Sequence, residues 1–262
     1  MSAIIIDEKI VHYEVLGRGK PIVFLHGWVG SWRYWIPTMQ AASTSYRAYA
    51  IDLWGFGDTA KDSSLYSLEH QTELIDRFLN EMGIGKVALV GHGLGAVVAL
   101  LYAAKHAYVV DRIMVIGCPL SKEDLNERFN NGTPTELVAW ILNQAPTAEA
   151  AKSEAPKTDD AAIKASVEDL QFMNLLDISK QLDTASLLVH GANDPAIKVP
   201  NLDSNGDLPS MVHQITFGES GHFPMLDQPN KFHRLMNDFL DLEPGASPQQ
   251  LQLKEEWKRR VR

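Results

Sequence analysis

Val87-Ala88-Leu89-Val90, a short and wholly apolar run of β-forming residues, leads directly into Gly91-His92-Gly93-Leu94-Gly95 and then into residues 94–104, which are apolar almost all round. Four apolar residues bounded by glycine read as a strand buried on both faces, and a segment that includes Val97, Val98 and Leu101 reads as a buried central helix. The glycines between them suit a strand-to-helix turn too tight for side chains. At such a turn the first helical N–H groups point outward and can stabilise an anion.

Similar apolar runs recur at residues 21–25, 113–116 and 187–189. Between them lie helical patterns. Leu74, Ile75, Phe78, Leu79 and Met82 follow the cap residue Ser67 at spacings near 3.6, and Phe232, Leu235, Met236, Phe239 and Leu240 repeat the pattern near the end. Strand and helix in alternation predict an α/β fold with a mostly parallel sheet. A hairpin opens it, with strands at residues 4–6 and 11–15 around a turn at Asp7-Glu8-Lys9.

The 262 residues are 45% hydrophobic, enough for one sizeable core, and the formal net charge is -9. That balance argues against nucleic acid and against anionic membranes as partners. A single cysteine, Cys118, forms no internal disulfide and offers no thiolate cluster for zinc. The acidic Asp7 arrives too early for a signal peptide, and no apolar run is long enough to span a bilayer, so a cytoplasmic protein is expected.

Residues 119–183 break the alternation: they hold no strand-like run and carry 12 acidic against 6 basic side chains. They read as a helical cap over the carboxyl edge of the sheet, with Phe129, Leu137, Trp140, Ile141, Phe172, Met173 and Leu176 turned inward. The expected division is a core at 1–118 and 184–242, the cap at 119–183, and a linker and terminal helix at 243–262. Leu253, Trp257 and Val261 share one face of that helix. It folds back on its own subunit, meets a second copy or stays a disordered tail, which leaves a homo-oligomer open.

Four further motifs stand in order along the chain: Phe24-Leu25-His26-Gly27-Trp28 followed by Gly30-Ser31-Trp32; Asp52-Leu53-Trp54-Gly55-Phe56-Gly57-Asp58-Thr59; Leu187-Leu188-Val189-His190-Gly191-Ala192-Asn193-Asp194-Pro195; and Gly221-His222-Phe223-Pro224-Met225-Leu226-Asp227-Gln228-Pro229. With the glycine turn they resemble the α/β-hydrolase family, of the serine esterase and carbon–carbon bond hydrolase type. The resemblance implies a nucleophile at Gly93, an acid at Asp194, a histidine at His222, and an oxyanion hole from the Trp28 and Leu94 N–H groups. It also implies no cofactor and no metal. Trp32, Cys118, Trp140, Phe172 and Phe223 are candidate walls of an apolar pocket for a small-molecule substrate or ligand.

Gly93 departs from the family pattern, since it carries no atom that can attack. In the complete triad the histidine takes the nucleophile's proton while the carboxylate orients the imidazole. Hydrolysis of a small, largely apolar ester-like substrate is then expected to be absent or severely reduced. Two other readings stand beside it: a lyase or cofactor-free dioxygenase in which a His/Asp pair is the general base, and a non-catalytic binder of small molecules. An epoxide hydrolase fits less well, because residues 119–183 contain no tyrosine to polarise the ring.

Overall fold

The computed structural model describes residues 2–142, 149–200 and 208–254. Eight strands form one sheet in the order β1-β2-β4-β3-β5-β6-β7-β8. β1 (Ser2–Ile6) and β2 (Lys9–Gly17) are the antiparallel pair foreseen at the start of the chain. Asp7 and Glu8, at φ 49° and 64°, make a two-residue turn whose twist matches the strands it joins. β2 pairs antiparallel with β4 (Tyr46–Ile51). From there β3 (Lys20–Leu25), β5 (Val87–His92), β6 (Val110–Ile116), β7 (Ala185–Gly191) and β8 (Val212–Phe217) run parallel.

The helices follow from the patterns that announced them. α1 (Ile36–Ala42) links β3 to β4. α2 (Leu68–Glu81) starts where the Ser67 side chain accepts the His70 N–H, and it buries Leu74, Ile75, Phe78 and Leu79. α3 (Leu94–Lys105) is enclosed on nearly every side, as its composition required. Between β6 and β7 lie α4 (Pro134–Ile141), α5 (Glu149–Glu154), α6 (Asp160–Leu170) and α7 (Leu175–Lys180). α8 (Pro224–Asp227) and α9 (Pro229–Leu240) follow β8, and α9 lays Phe232, Leu235, Met236, Phe239 and Leu240 inward. Among the described residues no helix is long and apolar enough to cross a membrane.

Two expectations need correction or bounding. Phe172 does not face inward: it is 86% exposed, because the buried stripe of α6 ends at Leu170 and the turn that follows carries Phe172 outward. Of the terminal helix, Trp257 and Val261 lie outside the described residues, while residues 248–250 form a 3-10 turn ahead of the half-buried Leu253.

Because the parallel strands share a direction, their carboxyl ends meet along one edge. The loops that leave it carry Trp28, Asp52, Gly93, Cys118, Asp194 and His222 in chain order. The chain departs in opposite senses from the neighbouring β3 and β5. Such a crevice is where open α/β sheets bind ligands.

His190 lies in β7, 1% exposed, with neither ring nitrogen bonded to a described residue. Burial holds this imidazole neutral and lowers its pKa from 6.5 to about 4, against a smaller upward pull from Asp194. As pH falls from 6.5 toward 4 the unfolded chain takes up a proton that the folded chain refuses, so His190 lowers stability by up to about 1.4 kcal/mol per pH unit across that window. His190→Leu is expected to flatten urea midpoints between those pH values. An unchanged slope would assign the acid sensitivity elsewhere.

Candidate active site

β5 becomes α3 within a single residue. Gly93 bridges them at φ 52° and ψ -113°, a backbone conformation that strains a side-chain-bearing residue by about 1–3 kcal/mol. On either side the backbones nearly touch: a Cβ on Gly91 would stand 2.2 Å from the Gly95 carbonyl oxygen, and one on Gly95 would stand 2.4 Å from that of Leu25. Glycine is therefore required at both. The Gly93 N–H donates to the Ile116 carbonyl at 2.9 Å and the Gly95 N–H to that of His26 at 2.9 Å, which fastens the turn to β6 and to the loop after β3.

Asp194 leaves β7 and is held by its own loop. Its Oδ1 accepts the N–H groups of Ala196 at 2.7 Å and Ile197 at 3.1 Å, and its Oδ2 faces His222 Nδ1 at 2.8 Å. Both side chains are buried. A carboxylate at that distance assigns the proton to Nδ1 and leaves the Nε2 lone pair as the basic site of the ring. Gly117, at the end of β6, closes over the pair; a Cβ there would lie 3.5 Å from His222 Cε1 and 3.6 Å from Asp194 Oδ2.

A second chain of hydrogen bonds, absent from the sequence reading, braces this arrangement. The Gly27 N–H donates to Tyr34 Oη at 2.6 Å, Tyr34 O–H donates to His92 Nδ1 at 2.9 Å, and His92 Nε2–H donates to the His222 carbonyl at 2.9 Å. Each atom has one consistent role, so His92 is neutral. Burial and the neighbouring His222 push its pKa well below the usual histidine value. His26 acts similarly on the other side: Nδ1–H donates to the Gly27 carbonyl at 2.8 Å and Nε2 accepts the Leu53 N–H at 3.0 Å. Tyr34 is buried but lies seven residues beyond Gly27, and nothing in its neighbours in sequence marks it.

The Trp28 and Leu94 N–H groups have no acceptor among the described residues. Leu94 is the first residue of α3, whose leading amides are free by construction and favour negative charge. The Trp28 indole leans over Gly93: a Cβ at position 93 would meet its Cε3 at 3.3 Å and the Gly27 Cα at 3.3 Å. That ring is 1% exposed, its Nε1–H donates to Ser166 Oγ on α6 at 2.9 Å, and Phe129 packs on it at 5.3 Å between centroids.

The remaining candidates divide. Phe223 is buried beside the histidines, 4.8 Å from the His92 ring and 5.1 Å from the His222 ring. Cys118 is fully buried, and burial together with Asp124 pushes its thiol far above the usual cysteine value, which disfavours the thiolate. Trp140 stands farther out, 6.3 Å from Phe129 and under the Arg128 guanidinium, in the wall of a cleft of about 580 Å³ formed between Glu127 and Trp140. Trp32 packs instead on His12 at 5.6 Å, with Arg33 over its ring. Phe172, exposed on the turn after α6, joins none of them.

His12, Asp52 and Asp58 come close enough to suggest a metal site. Most of their atoms are already engaged: Asp52 accepts the N–H groups of Trp32 and Asp58 and faces His12 Nδ1 at 3.1 Å, Lys157 binds Asp58 at 3.0 Å, and His12 Nε2 stands 3.5 Å from Glu14. The cluster fastens β2 to the loop after β4.

An eight-stranded, mostly parallel sheet flanked by helices, with a glycine turn between its central strand and a buried helix, defines an α/β-hydrolase fold. The sequence model of the alpha/beta hydrolase family matches residues 22–235, and the chain belongs to that family. It is 26% identical over 253 residues to 2-hydroxy-6-oxo-6-(2'-aminophenyl)hexa-2,4-dienoic acid hydrolase of Metapseudomonas resinovorans, covering 87% of this chain and 86% of that protein. It is 25% identical over 248 residues to pimeloyl-[acyl-carrier protein] methyl ester esterase of Nitrosomonas europaea, covering 85% and 96%. An esterase from Exiguobacterium antarcticum shares its fold with a TM-score of 0.79 at 18% identity, over 90% of this chain and 97% of that one.

Tyr34→Phe removes one hydroxyl and leaves both the Gly27 N–H and His92 Nδ1 unpaired in the interior. A loss of about 2–4 kcal/mol is expected in chemical denaturation. A loss below about 0.5 kcal/mol would show that the brace carries no stability.

Proposed function

We propose that this chain is an α/β-hydrolase-type site for a small, largely apolar ester-like substrate that lacks its covalent nucleophile, so that turnover is absent or severely reduced. What supports the reading is the Asp194–His222 pair at 2.8 Å together with Trp28 and Leu94 N–H groups that have no acceptor among the described residues, all carried on the sheet edge where Gly93 offers no attacking atom. In the roles proposed, His222 Nε2 takes a proton, Asp194 fixes its tautomer, and the Trp28 and Leu94 N–H groups stabilise an oxyanion. Both covered-length relatives carry the names of hydrolases, which supports a carbonyl-directed chemistry. A reducing cytoplasmic setting suits a chain whose cysteine is a free buried thiol.

The position of the Trp28 indole favours a second reading beside the first. The ring stands 3.3 Å from where a Cβ at position 93 would lie, so a side chain there crowds the indole; in this reading the pair is complete as it stands, and His222 acts as general base on the substrate itself or on water, with no acyl-enzyme.

Gly93→Ser decides between them. The strained φ and the indole contact predict a stability loss of about 1–3 kcal/mol. If the site is a hydrolase without its nucleophile, p-nitrophenyl butyrate hydrolysis and fluorophosphonate labelling rise at least about a hundredfold over the parent and vanish on adding His222→Ala. A folded Gly93→Ser protein with no gain sinks the first reading. Turnover of the parent that is lost in His222→Ala and indifferent to Gly93→Ser establishes the second.

A further inference from the structure

At the edge of the sheet opposite the elbow, where β3, β4, β5 and β6 begin, a cavity of about 340 Å³ opens. Its shape comes from a break in strand pairing. The β5–β6 register slips, so that Val87 faces Val110 and Ala88 faces Arg112, leaving Asp111 as an extra residue. Such bulges re-aim side chains, and the residues displaced here, Asp111 and Arg112, both line the cavity.

Arg112 is only 7% exposed and is held from two sides. Its Nε donates to Asp111 Oδ2 at 2.7 Å and its Nη1 to the Phe239 carbonyl at 2.7 Å, and neither bond uses Nη2. Lys20 and Lys86 stand on the rim, both exposed, with Lys86 Nζ 3.8 Å from Asp111. Among the lining residues three cations stand against one carboxylate in a chain whose net charge is -9, while a second carboxylate, Asp241, accepts the hydroxyl of the lining Tyr46 at 2.8 Å. Pro21, Val87 and Leu240 supply an apolar wall beside them.

We infer that this cavity binds a small amphipathic anion, a single carboxylate with a compact apolar tail. The head group sits against Arg112 between the two lysines, where a planar guanidinium and two mobile ammonium groups give charge-assisted hydrogen bonds. The tail lies on Pro21, Val87 and Leu240. Free phosphate offers the same negative head without the tail, and a neutral alcohol offers the tail without the head. The site shares no side chain with the elbow, although β5 runs from one to the other, so it stands whatever chemistry the elbow performs.

The test is an NMR titration of the isotope-labelled full chain with sodium hexanoate, 1-hexanol and inorganic phosphate in parallel. Hexanoate is expected to shift the amides of Val87, Ala88 and Arg112 saturably, and to bind more tightly than either control. The double variant Lys20→Glu, Lys86→Glu alters only exposed side chains, and it should weaken hexanoate at least about fivefold at low salt. Three outcomes would each overturn the assignment: no saturable shift at these residues up to about 20 mM hexanoate, affinity for hexanol or phosphate equal to that for hexanoate, or an unchanged affinity in the double variant.

Discussion

The one-residue turn from β5 into α3 is the constraint on which the rest of the carboxyl edge depends. It exists because Gly91 and Gly95 let three backbones approach within contact, and because Gly93 accepts a positive φ without strain. Its amides are then spent on β6 and on the loop after β3. The turn thereby sets where the Leu94 amide points and how closely the loop bearing Trp28 lies against it. A larger residue at 91 or 95 would part the strands before any chemistry were in question.

Around that turn almost every buried polar group has a partner, and the partners come from distant loops. Tyr34 and His92 join the loop after β3 to the backbone of His222, while His26 joins the same loop to the one after β4. None of these bonds passes through a side chain at position 93. The hydrogen bonds that hold His222 and Asp194 are therefore independent of what stands at position 93. In a site that excludes water, fixed donors need no reorganisation to meet a developing charge.

Much of the fold was legible in the sequence because periodicity and glycine placement are local signals. The hairpin, β3, β5, β6 and β7, the buried α3 and the amphipathic α2 and α9 all follow from them. β4 and β8 were not read from their own residues. Tyr46-Arg47-Ala48-Tyr49-Ala50-Ile51 is interrupted by an arginine, and β8, an edge strand, mixes buried, half-buried and exposed positions with polar residues among them. Phe172 was misplaced because hydrophobicity was carried past the end of the helix. Tyr34 and Ser166 were missed since each acquires its role only from a partner 58 or 138 residues away.

The sequence by itself determined the family, the order of the loops and the absence of an attacking atom at position 93, because these are properties of residue type and spacing. Tertiary structure decided which histidine nitrogen carries the proton, which aromatic rings share the elbow, and that an indole packs closely beside Gly93. Those are distances between segments far apart in the chain. They are set by packing, strand register and the pairing of buried polar groups, and a linear pattern does not encode them.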